Sequence, residues 1–153
     1  MALAIRLRVA WRPKRQLSWP GRDPTLKVMT PHELMQRIDR QLAHVWMVRT
    51  FLKHSEEAAE DDELAEVHRV LYDYMLALGG PLRQNDAEAY LRLARKKFNK
   101  LKGITQTLVQ LQPQISQHTN FVMAAASLSA AVEEIERLLA LPGDAPAAGG
   151  AAG

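Results

Sequence analysis

The chain has 153 residues, 47% of them hydrophobic and 24% charged, with a net charge of +3 and no cysteine. That length supports one domain with a core of its own, and the absence of cysteine excludes disulfides and thiolate metal sites. The charge is unevenly spread. Residues 1–28 hold seven basic side chains against Asp23, a net of +6, which leaves −3 for the remainder. The isoelectric point of 9.4 therefore describes a leader, and arguments from a basic protein do not extend to the body.

Arg6 and Arg8 interrupt the apolar start, so a secretory signal is not expected there. No apolar run reaches the roughly 18–20 residues of a membrane span. The leader is Arg-rich, Trp-bearing and almost free of acids, as transit peptides and nucleic-acid-binding arms are. The plainer reading is an extension upstream of a true start at Met29. Pro13, Pro20 and Pro24 argue against a continuous helix. The expectation is a disordered or superfluous 1–28, a helical body at 29–141, and a disordered Ala/Gly/Pro tail at 142–153.

The body reads as four helical segments with no strand. The first opens on a capping box, Thr30 with Glu33 and Pro31 between them. Leu34, Ile38, Leu42, Val45, Val48 and Leu52 recur at spacings of three and four and define its buried stripe. It fades in Ser55–Ala59. The second begins at Asp61 or Asp62 and carries Leu64, Val67, Leu71, Tyr74, Met75 and Leu78. Gly79-Gly80-Pro81 is its expected stop. The third opens at Asn85 or Asp86, with Ala87, Leu91, Ala94, Phe98, Leu101 and Leu108 inward, a kink at Gly103 and an end at Pro113. The fourth holds Ile115, Phe121, Ala125, Leu128, Val132, Ile135 and Leu139, up to Pro142. Short joints favour antiparallel neighbours. The predicted fold is an all-α, up-down-up-down four-helix bundle, with a hairpin that closes only on dimerisation as the competitor.

Several side-chain groups suggest surfaces. Glu56 to Glu66 contains seven acids, without the glycine-punctuated alternation of a calcium loop, and suits a solvated turn that complements the next helix dipole. Arg92, Arg95, Lys96, Lys97, Lys100 and Lys102 form a basic strip for nucleic acid or an acidic partner. His54, His68 and His118 fall near one end of such a bundle, but His54 points outward and no Glu-x-x-His pair accompanies them. Arg49 lies within the apolar face of the first helix. It is the candidate for a buried ion pair, with Asp73, Glu133 or Glu136 as partners.

Arg49 and His54 also share the Arg-x4-His spacing that resembles the motif of HEPN-type ribonucleases. The resemblance covers these two residues. It implies a helical bundle that cleaves RNA as a dimer. In that family the motif lies late in the domain, whereas here it is in the first helix, and the two residues stand about 140° apart on the helical wheel.

The outer side of the first helix carries Arg37, Arg40, His44, Met47, Phe51 and His54. Apolar and basic residues mixed on one exposed strip suit an association surface; a core face covered on both flanks is the alternative. No nucleophile–base set, metal-ligand set or cofactor loop is legible. The sequence therefore points to a cytoplasmic, non-enzymatic interaction or scaffolding protein without a cofactor, acting as a homo-oligomer or on a protein partner and not on a membrane. A nucleic-acid-associated bundle and a HEPN-like ribonuclease are the alternatives.

Overall fold

The computed structural model describes residues 28–141. The expectations for the leader up to residue 27 and for the tail from residue 142 concern residues outside this range. The described residues are all-helical. Helix α1 spans Pro31–Lys53, α2 Glu56–Glu60, α3 Asp62–Arg83, α4 Ala87–Ile115 and α5 Thr119–Leu139. No helix is long and apolar enough to cross a membrane.

The capping box is formed in both directions. Thr30 Oγ1 accepts from the Glu33 amide at 3.2 Å, and Glu33 Oε2 accepts from the Thr30 amide at 2.9 Å. All six residues of the α1 stripe are buried, and Met35 joins them. Each such side chain contributes about 1.5–3 kcal/mol of transfer free energy.

Four contacts fix how the long helices meet. His32 Nε2 lies 3.2 Å from the Asn85 carbonyl and joins the start of α1 to the α3–α4 corner. Phe51 meets Phe121 edge-on at 4.9 Å, which joins the end of α1 to the start of α5. Tyr74 Oη donates to the Ala94 carbonyl at 3.3 Å. Lys102 reaches Glu136 at 2.6 Å. The core sits among α1, α3, α4 and α5, with α1 touching each of the other three.

The joints differ from the sequence reading in four places. First, the residues after α1 do not simply fade. Ser55 Oγ accepts from the Ala58 amide at 3.2 Å and starts the short α2, and Asp61 then caps α3 at 2.8 Å from the Leu64 amide. Second, α3 does not stop at Gly79-Gly80-Pro81. It crosses them and ends at Arg83, because a proline so near the end forfeits only one backbone bond. The true stop is Asn85, at φ 54°, where the Asp86 amide returns to the Pro81 carbonyl at 2.9 Å and the Asn85 amide to Leu82 at 3.0 Å. This is a Schellman closure with Asn in the left-handed position.

Third, α4 starts as expected, on the second of the two candidate caps, Asp86, which accepts from the Ala89 amide at 2.9 Å, but its end differs. Helix α4 then runs through Gly103 and two residues past Pro113. Fourth, Ile115 belongs to α4 and not to the last helix. His118 caps α5, its Nδ1 accepting from the Asn120 amide at 3.2 Å. Leu138 is fully buried and Leu139 only half-buried, so the inward stripe of α5 ends one residue earlier than expected.

Candidate interaction surfaces

Residues Arg37, Arg40, His44, Met47 and His54 are exposed along α1, and Phe51 is half-buried. Phe51 is not a surface side chain in its own right. Its ring packs on Phe121, so the second alternative, a core face covered from a flank, holds for it. Met47 stays 67% exposed beside Met123, which is 59% exposed. The two border a shallow α1–α5 groove of about 270 Å³ that Phe51 and Asn120 also line. Further along this face Arg137 binds both oxygens of Glu134, at 2.6 and 2.7 Å. That bond holds the Glu134 carboxyl below its ordinary range, with a lesser pull from Arg37.

Arg49 corrects the sequence reading. No carboxylate pairs with it among the described residues. Instead its guanidinium lies 4.8 Å from the Tyr72 ring centroid and 5.4 Å from that of Trp46. Asp73 is on the exposed side of α3, and Glu136 is bonded to Lys102, so neither compensates the charge. Arg49 Nε is buried without a hydrogen-bond partner. Beside it, burial first, then Arg49, Arg69 and Lys53, lower the His68 pKa from its ordinary 6.5. Trp46, Tyr72 and Leu76 are exposed on the same α1–α3 side and were missed as a group. The signal was present in the aromatic pair. Its register across two helices was not.

The basic strip of α4 divides over three directions. Arg92, Lys96 and Lys100 are exposed without an ion pair among the described residues. Lys97 and Lys100 border a small cleft with Asp73. Arg95 Nε approaches the Leu139 carbonyl at 3.5 Å, and Lys102 is engaged by Glu136. These last two line the α5 side, where a groove of about 450 Å³ runs between α4 and α5 past Gln106, Val109 and Ser129.

The histidines do not converge. His54 caps the end of α1, His118 caps α5 and His68 is half-buried on α3. No group of three or more potential metal ligands occurs among the described residues. Arg49 and His54 share no contact there either: one is stacked on aromatic rings and the other faces solvent. Inside the core, Tyr90 Oη is buried without a partner, and burial raises its pKa and that of Tyr74 far above the ordinary phenol value. Burial also raises Asp39.

No family model matches the chain, and neither a curated protein nor a solved structure matches it.

Proposed function

We propose that this chain is a small cytoplasmic helical-bundle interaction protein, non-enzymatic, that associates with a second copy of itself through the outer side of α1. In this reading α1, α3, α4 and α5 run alternately up and down and form a rigid body that presents the surface. One observation carries it. Met47 and Met123, large, flexible and apolar, stand exposed on one groove between α1 and α5, and Arg40 and His44 are exposed on the turns of α1 before Met47. Methionine adapts its shape to a partner, and an apolar centre with a charged rim is the anatomy of a protein interface.

The test is sedimentation equilibrium of the full chain and of Met47→Glu. The reading expects a discrete oligomer that Met47→Glu converts to monomer with its helix content intact. A monomeric parent chain at every concentration examined would refute it.

Arg92, Lys96 and Lys100, exposed and without an ion pair among the described residues, favour a second reading, contact with nucleic acid. It expects salt-sensitive binding that Lys96→Glu with Lys97→Glu abolishes.

A further inference from the structure

Helix α1 turns two flanks to its neighbours. Phe51 packs on the α5 side, and Arg49 marks the α3 side, where its guanidinium stacks on Tyr72. On that second flank three large apolar side chains stand out of the surface. Trp46 is 47% exposed, Tyr72 39% and Leu76 62%, with Leu76 one turn beyond Tyr72 on α3. The core does not include them, and the Met47 groove belongs to the other side, between α1 and α5.

Cations gather at one end of this flank. Arg49 Nε is buried without a partner, but the two Nη groups make no hydrogen bond among the described residues and still reach solvent. Lys53, one turn further along α1, is exposed and without an ion pair among the described residues. Arg49 and Lys53 both act on His68 of α3, which places them on the same flank. A third cation acting there, Arg69, is already bonded to Glu66. Asp39 lies two turns before Trp46 on α1, beyond the opposite, apolar end.

We infer that the α1–α3 face is a docking site for another protein, and that it takes a segment in which an acidic side chain stands beside an apolar one. The apolar residue covers Trp46, Tyr72 and Leu76, and the carboxylate accepts from the Nη end of Arg49 with Lys53 beside it. Side chains that project this far suit the face of a protein, since a small molecule needs a cleft that encloses it. Arg49 and Lys53 are too few for a nucleic-acid strand, whose affinity grows with the number of phosphates neutralised. A strand laid past Lys53 would also run toward the end of the bundle that carries Glu56, Glu60, Asp62 and Glu63, all exposed. One carboxylate needs a single two-pronged contact. Arg49, stacked on two rings and half-buried, is already ordered and loses little on docking. Trp, Tyr and Arg are also the side chains that dominate contacts between proteins. This face is separate from the self-association proposed above and does not depend on it.

The experiment uses the full chain and a fluorescein-labelled peptide in which aspartates alternate with leucine and phenylalanine. The comparison is the same peptide with asparagine for aspartate. Fluorescence anisotropy should show the acidic peptide binding at least about tenfold more tightly than its amide counterpart. Arg49→Met with Lys53→Met should remove that preference. Trp46→Ser with Leu76→Ser should weaken both peptides by about tenfold and leave the preference in place. Met47→Glu, on the other flank, should change neither. Circular dichroism checks that each variant keeps its helices.

Four results overturn the inference. The first is a parent chain that binds neither peptide. The second is an acidic preference that survives Arg49→Met with Lys53→Met. The third is a labelled oligothymidylate that binds at least as tightly as the acidic peptide and is released by that same variant, which gives the face to nucleic acid. The fourth is an oligomer that Trp46→Ser with Leu76→Ser converts to monomer in sedimentation equilibrium, which gives it to a second copy.

Discussion

Replacing Arg49 by methionine should change the stability of the protein by less than about 1 kcal/mol. Two terms oppose each other. The guanidinium stacks on Tyr72 and near Trp46, at 4.8 and 5.4 Å, and each contact at a half-exposed site contributes about 0.5–1 kcal/mol. Against that, Arg49 Nε is buried without a partner, which costs about 1–3 kcal/mol. Methionine keeps the apolar stem and removes both terms. Urea unfolding of Arg49→Met, Tyr72→Leu and the double variant, followed by circular dichroism, gives the coupling directly. It should fall at about 0.5–1 kcal/mol between Arg49 and Tyr72, and near zero between Arg49 and Asp73 in a parallel cycle with Asp73→Asn. A loss of about 3–5 kcal/mol for Arg49→Met alone is the signature of a broken buried ion pair and would refute the stacking account.

Gly103→Ala should raise stability by about 1 kcal/mol. A Cβ there meets nothing within 4 Å, and alanine is the better helix former; an unchanged urea midpoint would contradict this. Asn85→Val should cost about 1–2 kcal/mol, because φ 54° is hostile to a β-branched residue, while Asn85→Gly should cost little. A thermal melt of the pair decides it. His68 has a lowered pKa in the fold, so the unfolded chain takes up the proton first as pH falls below the ordinary 6.5. Its contribution is complete above that value and is lost on descending through the folded pKa. His68→Gln should therefore lose less stability than the parent between about pH 7.5 and 5.5. Equal losses in urea titrations would contradict it.

Much of the helical architecture was legible because periodicity is repeated many times along a helix. Leu34, Ile38, Leu42, Val45, Val48 and Leu52 vote together for one buried face, and all are buried. The joints were harder, since each rests on one or two residues. Gly79-Gly80-Pro81 carries the composition of a stop. The actual stop depends on Asn85 accepting a left-handed conformation, which its type permits without announcing. Pro113 similarly marks the last turn of α4 and not its end.

The surfaces were legible in part. The exposure of Arg37, Arg40, His44 and Met47 follows from the wheel of a single helix. The burial of Phe51 needs knowledge of where Phe121 lies, and the Arg49 site needs Trp46 and Tyr72 on adjacent helices. Such cross-helix registers are set by packing, which no single helical wheel contains. A cation among apolar residues suggested a carboxylate partner, and two aromatic faces took that place.

The route of α3 through Gly79, Gly80 and Pro81 bears on how the bundle breathes. Proline supplies no amide at position 81, so the Ala77 carbonyl lacks its usual helical donor, and two glycines beside it resist ordering. The end of the last turn is held by the Gln84 amide on the Gly80 carbonyl and by the Schellman bonds. Amides of residues 82–86 should then exchange with solvent deuterium through local opening, while those of 67–78, over the buried stripe, exchange only when the whole molecule unfolds. One uninterrupted helix would thus show two tiers of protection, divided at a point along its own axis.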